Sequence, residues 1–302
     1  MTGKRRLDSL LAERGLFPSR SRAAASVMAG EVFIAPAGPR AHERRAAKPG
    51  ELVHADTRVR LAQRPAFVSR GGVKLANALA ASGLHVAGRR ALDVGASTGG
   101  FTDCLLQHGA REVIALDVGY GALDYRLRRD PRVCVLERTN ARALTPAMLP
   151  PSTASPALPL DLATIDVSFI SLRKLLAAVL GCLAPRYDVL ALVKPQFELE
   201  RARVGKGGVV RAAEDRREAL TVVARAAIEL GAALVGAHSS GLPGPKGNRE
   251  SFLWLTHPAA RRGSRDPAAL ERIVAKAEPH AQPLAGAAAR ATVGSANGTS
   301  AR

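Results

Sequence analysis

The residues best placed to do chemistry lie in and around the run Ala91-Leu-Asp-Val-Gly-Ala-Ser-Thr-Gly-Gly-Phe101. An apolar strand closes on Asp93, and Gly95, Gly99 and Gly100 lead from it into a helix. Glycine at these points lets the backbone turn sharply and lets a ligand rest against the main chain. A second strand, Val113-Ile-Ala-Leu-Asp117, ends on another carboxylate. A Gly-rich turn after one strand and an acid capping the next describe a nucleotide-type cofactor site.

Four more ionisable groups fall around this turn. Lys74 opens a helix in Ser69-Arg-Gly-Gly-Val-Lys-Leu75, and Asp166 follows an apolar strand. Lys194 follows another, in Leu192-Val-Lys-Pro-Gln-Phe-Glu198, and Glu250 precedes the last strand. Ligands of open α/β sheets bind beyond the carboxyl ends of the strands, where Asp166 and Lys194 fall. Any one of the four reads as a strand-end surface charge. All four in this order around a cofactor turn suggest a reaction centre.

The elements that must position them alternate. Predicted strands are Ala91–Val94, Glu112–Asp117, Val133–Leu136, Leu162–Asp166, Val189–Val193, Ala233–His238 and Ser251–Leu255, with helices such as Leu172–Leu183 and Glu214–Leu230 between them. That alternation gives an α/β domain, a mostly parallel sheet covered on both faces. Residues 4–62 read as a smaller basic α+β unit. Leu7, Leu10 and Leu11 recur at helical spacing, a second helix is capped by Ser19 or Ser21, and strands follow at Glu31–Ile34 and Asp56–Leu61. Residues 63–67, with Pro65, are the expected linker, and 68–260 the main domain. Residues 150–159 read as a surface loop, and residues 279–302, rich in Ala, Gly, Ser and Thr, as a disordered tail.

The chain has 302 residues, with Lys+Arg 44 against Asp+Glu 26, a formal net charge of +18. Such a surplus favours a polyanionic partner, because neutralising phosphates releases counterions; a composition bias toward Arg is the alternative. Cys104, Cys134 and Cys182 are far apart, fitting neither a disulfide framework nor zinc spacing, and the histidines are scattered. The expectations are a reduced, cytoplasmic setting, no metal and no membrane partner, for no secretion signal or uninterrupted apolar span is visible.

The spacing Asp93-x-Gly95-x-x-x-Gly99-Gly100 departs from the Gly-x-Gly-x-x-Gly of dinucleotide enzymes. It is closer to the first motif of S-adenosylmethionine-dependent methyltransferases. In that class Asp117 would accept from the ribose hydroxyls, and Asp93 would suit a ligand carrying an amino group and a sulfonium. Lys74, Asp166, Lys194 and Glu250 resemble the tetrad of FtsJ-related ribose 2′-O-methyltransferases. A lysine beside a second lysine and an apolar wall could act as general base toward a ribose hydroxyl, with the carboxylates orienting the pair.

Residues 4–62 resemble the alpha-L (S4-like) RNA-binding module through Arg6-Leu-Asp-Ser-Leu-Leu, Ser19-Arg-Ser-Arg-Ala-Ala-Ala and Ala29-Gly-Glu-Val-Phe-Ile. A Pro-rich connection from Ala35 stands where that module has a Val-Asn-Gly hairpin. The combination of the two units is similar to the TlyA-type family. The residues that carry this likeness include Val68-Ser-Arg-Gly-Gly-Val-Lys-Leu75, Asp117-Val-Gly-Tyr-Gly121, Leu136-Glu-Arg-Thr-Asn-Ala-Arg142, Asp166-Val-Ser-Phe-Ile-Ser171 and Leu242-Pro-Gly-Pro-Lys-Gly-Asn-Arg-Glu250.

The resemblance implies a Rossmann-like class I methyltransferase domain after the RNA-binding module. It further implies methyl transfer from S-adenosylmethionine to a cytidine 2′-hydroxyl of ribosomal RNA, free or in ribosomal subunits. It makes Lys74, Asp166, Lys194 and Glu250 catalytic, with Lys194 the central base, and puts Asp93, Gly95, Ser97, Gly99, Asp117, Asn140 and Asp166 at the cofactor. Arg6, Arg20, Arg22, Arg70, Arg138, Lys206 and Arg211 are the expected RNA contacts, and Gly205–Gly208 a mobile loop beside the substrate. Two other readings remain: a noncatalytic rRNA-binding assembly factor, against which the intact tetrad counts, and a membrane-active haemolysin, which lacks the segments it would need.

Overall fold

The structure, a computed structural model, describes residues 3–36, 42–62, 65–155, 158–260 and 263–277. The expected tail at 279–302 and residues 63 and 64 of the expected linker lie outside these. The chain divides into two units, Met1–Pro65 and Ala66–Arg302.

In the first unit β1 (Lys4–Arg6) runs straight into α1 (Leu7–Glu13), and α2 (Arg20–Met28) follows. Ser19 caps α2, its side chain accepting from the Arg22 amide at 3.2 Å. Next come β2 (Val32–Ala35), β3 (Arg44–Arg45), β4 (Leu52–His54) and β5 (Arg58–Leu61). β1 pairs with β4, and β2 lies between β3 and β5, all antiparallel. Leu7, Leu10, Leu11, Val27, Val32 and Ile34 form a small core. The sequence reading has both helices, β2 and β5 but lacks β1, β3 and β4. Strands of two or three residues are too short to display a period of two.

The second unit comprises α3 (Arg70–Ser82), β6 (Arg90–Val94), α4 (Gly100–Gln107), β7 (Glu112–Leu116), α5 (Tyr125–Arg128), β8 (Val133–Leu136), β9 (Leu160–Ile165), α6 (Leu176–Leu180), β10 (Asp188–Val193), α7 (Pro195–Glu198), α8 (Ala213–Glu229), β11 (Ala233–Ser239), β12 (Ser251–Thr256) and α9 (Pro267–Ala277). Its seven-stranded sheet has the order β11-β12-β10-β9-β6-β7-β8. β12 is antiparallel to both neighbours, and the pairs from β10 to β8 are parallel. Side chains of β10 alternate between two cores: Val189, Ala191 and Val193 join α6, α8 and α9, while Leu190 and Leu192 join α3 and α4. A sheet buried on both faces explains the continuous apolar runs.

β6 lies between β9 and β7, so the strand order reverses there and a crevice opens beyond its carboxyl end. The turn bearing Gly95 sits at that crevice. Two departures from the sequence reading stand out. In place of one helix over 172–183, a 3-10 turn at Leu172–Lys174 precedes the short α6, separated by Leu175 at φ −127°. The buried Glu198 carboxylate takes the Leu172 amide at 2.8 Å and the Ser171 hydroxyl at 2.5 Å, tightening the start of this segment. The helix α9 goes beyond the sequence reading, although Leu270, Ile273, Val274 and Ala277 follow a helical period.

Candidate active site

Gly95 has φ +85°, and a Cβ there would lie 2.5 Å from the Asp166 carbonyl oxygen. The turn after β6 therefore packs directly on the backbone that leaves β9. Ser97 adopts the left-handed region at φ 49°, and its amide donates to Asp117 Oδ2 at 2.7 Å. The Gly119 amide donates to Asp117 Oδ1, also at 2.7 Å. Asp117 thus ties the turn to the end of β7, and each oxygen keeps room to accept another hydrogen bond. Gly99, at φ +93°, is the N-cap of α4. The Thr139 amide bonds the Asp117 carbonyl at 3.0 Å, bringing the loop that holds exposed Asn140 beside Asp117. The Asn140 side chain itself accepts from the Arg142 amide.

Asp93 lies elsewhere than expected. It is wholly buried behind the turn, outside the cavity wall, and accepts from Thr102 at 2.7 Å and Thr164 at 3.2 Å. It therefore braces β6 against β9 and α4. Desolvation, opposed by those hydroxyls, pushes its carboxyl up to about 7. The folded state then holds a proton that the unfolded chain has already lost between about pH 4 and 7, so stability falls as pH rises through that window. Asp93→Asn should flatten this fall. Melting temperatures of the two proteins from pH 4 to 8 check it, the variant gaining relative to wild type toward pH 8 by up to about 4 kcal/mol.

Lys74, Asp166, Lys194 and Glu250 line one cavity of about 680 Å³, together with Gly95 and Ser97. Lys194 Nζ lies 2.5 Å from Asp166 Oδ1 and donates to Ser168 Oγ at 2.9 Å. Lys74 Nζ meets Glu250 Oε2 at 2.5 Å, with side-chain exposures of 8% and 1%. Removing one member of such a buried pair would strand its partner's charge. The lysines arrive from α3 and from the end of β10, the acids from the end of β9 and the start of β12, so the strand order fixes the set.

Of the expected RNA contacts in the second unit, one lines the cavity. Arg70 lines the cavity and donates to the Pro243 carbonyl. Arg138 stacks over Tyr120 at 4.3 Å. Lys206 and Arg211 flank the segment at Gly208, which lines the cavity, without lining it themselves. In the other unit Arg6 and Arg20 converge on buried Asp8 at 2.8 and 3.1 Å, while Arg22 is exposed on α2. The Arg6 hydrogen bond, helped by Arg20, holds the Asp8 carboxyl well below the usual carboxylate range.

Three side chains at the site escape the sequence reading. Ser168 fixes the Lys194 amine. Asn248, buried, donates to the Gly208 carbonyl and accepts from the Val210 amide, so the segment expected to be a mobile loop is tethered at its end. Phe169 is 91% exposed at φ 65°, its ring 5.3 Å from that of Phe197. An exposed phenyl on left-handed backbone is costly, and residues held in such strain cluster at functional sites.

The residues fit S-adenosylmethionine. The turn offers bare backbone at Gly95 and Ser97, Asp117 offers a carboxylate, and Gln196 Oε1, on the cavity wall, is buried with no hydrogen-bond partner among the described residues. Such an oxygen could accept from a cofactor's amino group. Among the described residues no cluster of His, Cys, Asp or Glu could hold a metal, and no helix is long and apolar enough to cross a membrane.

Residues 67–257 match the family of FtsJ-like methyltransferases. The 16S/23S rRNA (cytidine-2'-O)-methyltransferase TlyA of Mycobacterium tuberculosis is 48% identical over 84% of this chain and 91% of its own length. Hemolysin A of Brachyspira hyodysenteriae is 37% identical over 83% of this chain and 98% of its own length. A solved structure of a hemolysin-named protein from Streptococcus thermophilus superposes with a TM-score of 0.64 at 37% identity, covering 91% of this chain and 96% of the other.

Proposed function

Because this chain belongs to the TlyA-type FtsJ-like methyltransferases, we propose that it methylates the ribose 2′-hydroxyl of a cytidine in ribosomal RNA, using S-adenosylmethionine. The observation that carries this is the meeting of two lysine–carboxylate pairs, Lys74–Glu250 and Lys194–Asp166, in the cavity walled by the Gly95–Ser97 turn. The first unit, residues 4–62, delivers the RNA, residues 68–260 catalyse, and ribosomal RNA, free or in ribosomal subunits, is the substrate in the cytoplasm.

Asp117 would take the cofactor's ribose hydroxyls, Gly95 and Ser97 its methionine part, and Asn140 would lie at its adenine. When bound, S-adenosylmethionine supplies an electrophilic methyl group on a sulfonium. Asp166 and Ser168 hold the Lys194 nitrogen at one point, where, once it has given up its own proton, it accepts the one released by the attacking hydroxyl. Lys74, fixed by Glu250, positions the acceptor oxygen for in-line attack. Such alignment removes much of the entropic barrier.

Phe169 supports the same reading, since an exposed ring in the cavity lining offers a face on which the target base can stack. Phe169→Ala is expected to raise KM for RNA about 5- to 150-fold, the range for losing one base stack, and to leave S-adenosylmethionine affinity unchanged. Steady-state kinetics with rRNA and calorimetry with the cofactor measure the two effects. Methyl-labelled S-adenosylmethionine incubated with purified rRNA and with ribosomal subunits tests the function itself. Label in RNA is expected; tight RNA binding without label would favour the noncatalytic assembly factor.

A further inference from the structure

A second cavity, of about 460 Å³, adjoins the catalytic one and shares Phe169 and Phe197 with it. Its wall carries Arg142, Arg173 and Lys174, all exposed, with Glu200 at the rim and buried Glu198 beneath. Glu198 is directed inward, its oxygens taken by Ser171 Oγ and the Leu172 amide. Arg173 is held in place, Nε donating to Ser171 Oγ at 3.2 Å and Nη2 to the Glu198 carbonyl at 3.3 Å, with its side chain still 47% exposed. The cationic wall is thus anchored on the same short turn that follows Phe169.

From this geometry we infer that the second cavity is a phosphodiester subsite, seating the RNA phosphate next to the target nucleotide through Arg173, Lys174 and Arg142. The inference rests on the methyltransferase reading above, which makes the substrate a polynucleotide. A base on Phe169 with its ribose toward Lys194 must send one flanking phosphate past the Phe169–Phe197 pair, and this cavity opens there. Guanidinium and ammonium groups around one concavity match a phosphate's acceptor oxygens. Glu198 acts as a positioning residue, locking the turn so that Phe169 and Arg173 are presented together.

The test uses the full chain carrying Arg173→Ala and Lys174→Ala together, two exposed positions whose loss leaves the core intact. Melting temperature and S-adenosylmethionine binding should match wild type. Affinity for a fluorescein-labelled single-stranded 12-mer RNA with a central cytidine should fall about tenfold. The slope of log affinity against log salt should shrink by about 0.7, the change for one single-stranded phosphate no longer neutralised. With rRNA as substrate, KM should rise by a similar factor while kcat stays within about twofold.

Unchanged affinity and salt slope would overturn the subsite. Should the wild type bind the 12-mer through these residues yet transfer no methyl group to rRNA, the subsite would stand and the methyltransferase reading would fail. Transfer with the same KM in both proteins would do the opposite, keeping the methyltransferase and removing the subsite.

Discussion

Lys194→Ala should lower methyl transfer about 10²- to 10⁴-fold, the usual worth of a general base, with S-adenosylmethionine binding retained. Lys194 is the group that both touches a carboxylate of the tetrad and donates to Ser168, so its nitrogen has a fixed position over the cavity. Alanine removes the proton acceptor and leaves Asp166 without its cation. Single-turnover transfer at saturating RNA and cofactor reads the loss at the chemical step, and calorimetry checks cofactor binding. A loss below about tenfold would remove Lys194 from the role of base. Ser168→Ala, which removes one of the two partners of the amine and leaves Asp166, should give a smaller decrease in the same assay.

Gly95→Ala should be nearly as damaging, for a different reason. At φ +85° an L-residue carries a strain of about 1–2 kcal/mol. Its Cβ would also stand 2.5 Å from the Asp166 carbonyl, a backbone atom that cannot rotate away. Either the turn or the end of β9 must move, and the end of β9 carries the acid that holds Lys194. The expected results are a destabilisation of about 2–3 kcal/mol, cofactor affinity reduced at least about tenfold, and transfer nearly abolished. Gly83→Ala is the control: it has φ +68° but nothing within 4 Å of the new Cβ, so strain alone should appear, with activity unchanged. Equal effects of the two substitutions would mean that close packing at Gly95 does not matter.

The sequence reveals the sheet because strands buried on both faces are apolar along their length, as in residues 189–193. Once those strands are located, their ends are too, which is why Asp166 and Lys194 can be marked as facing a ligand. Burial of a single polar residue leaves no such trace. Asp93 occupies a position that reads as ligand-facing, yet Thr102 and Thr164 enclose it. Asn248 looks like one more loop residue between glycine and arginine, and its two bonds to the 208–210 segment exist only in three dimensions.

Phe169 is the reverse case. Between Ser168 and Ile170 nothing in the sequence marks it as exposed, and no glycine announces its left-handed backbone. A single helix over 172–183 does not form because its start is governed by Glu198, a residue 26 positions away from Leu172. A local period cannot register that bond. Tertiary hydrogen bonds of this kind separate what is legible from what is not.

The decisive question is which atom receives the methyl group. The most direct measurement is digestion of rRNA labelled by the purified protein, with the radioactive product identified after alkali and after complete nuclease treatment. Ribose methylation predicts label in an alkali-resistant dinucleotide that yields 2′-O-methylcytidine, and none from the Lys194→Ala protein. Label in a base-methylated nucleoside, or equal labelling by the variant, would contradict it.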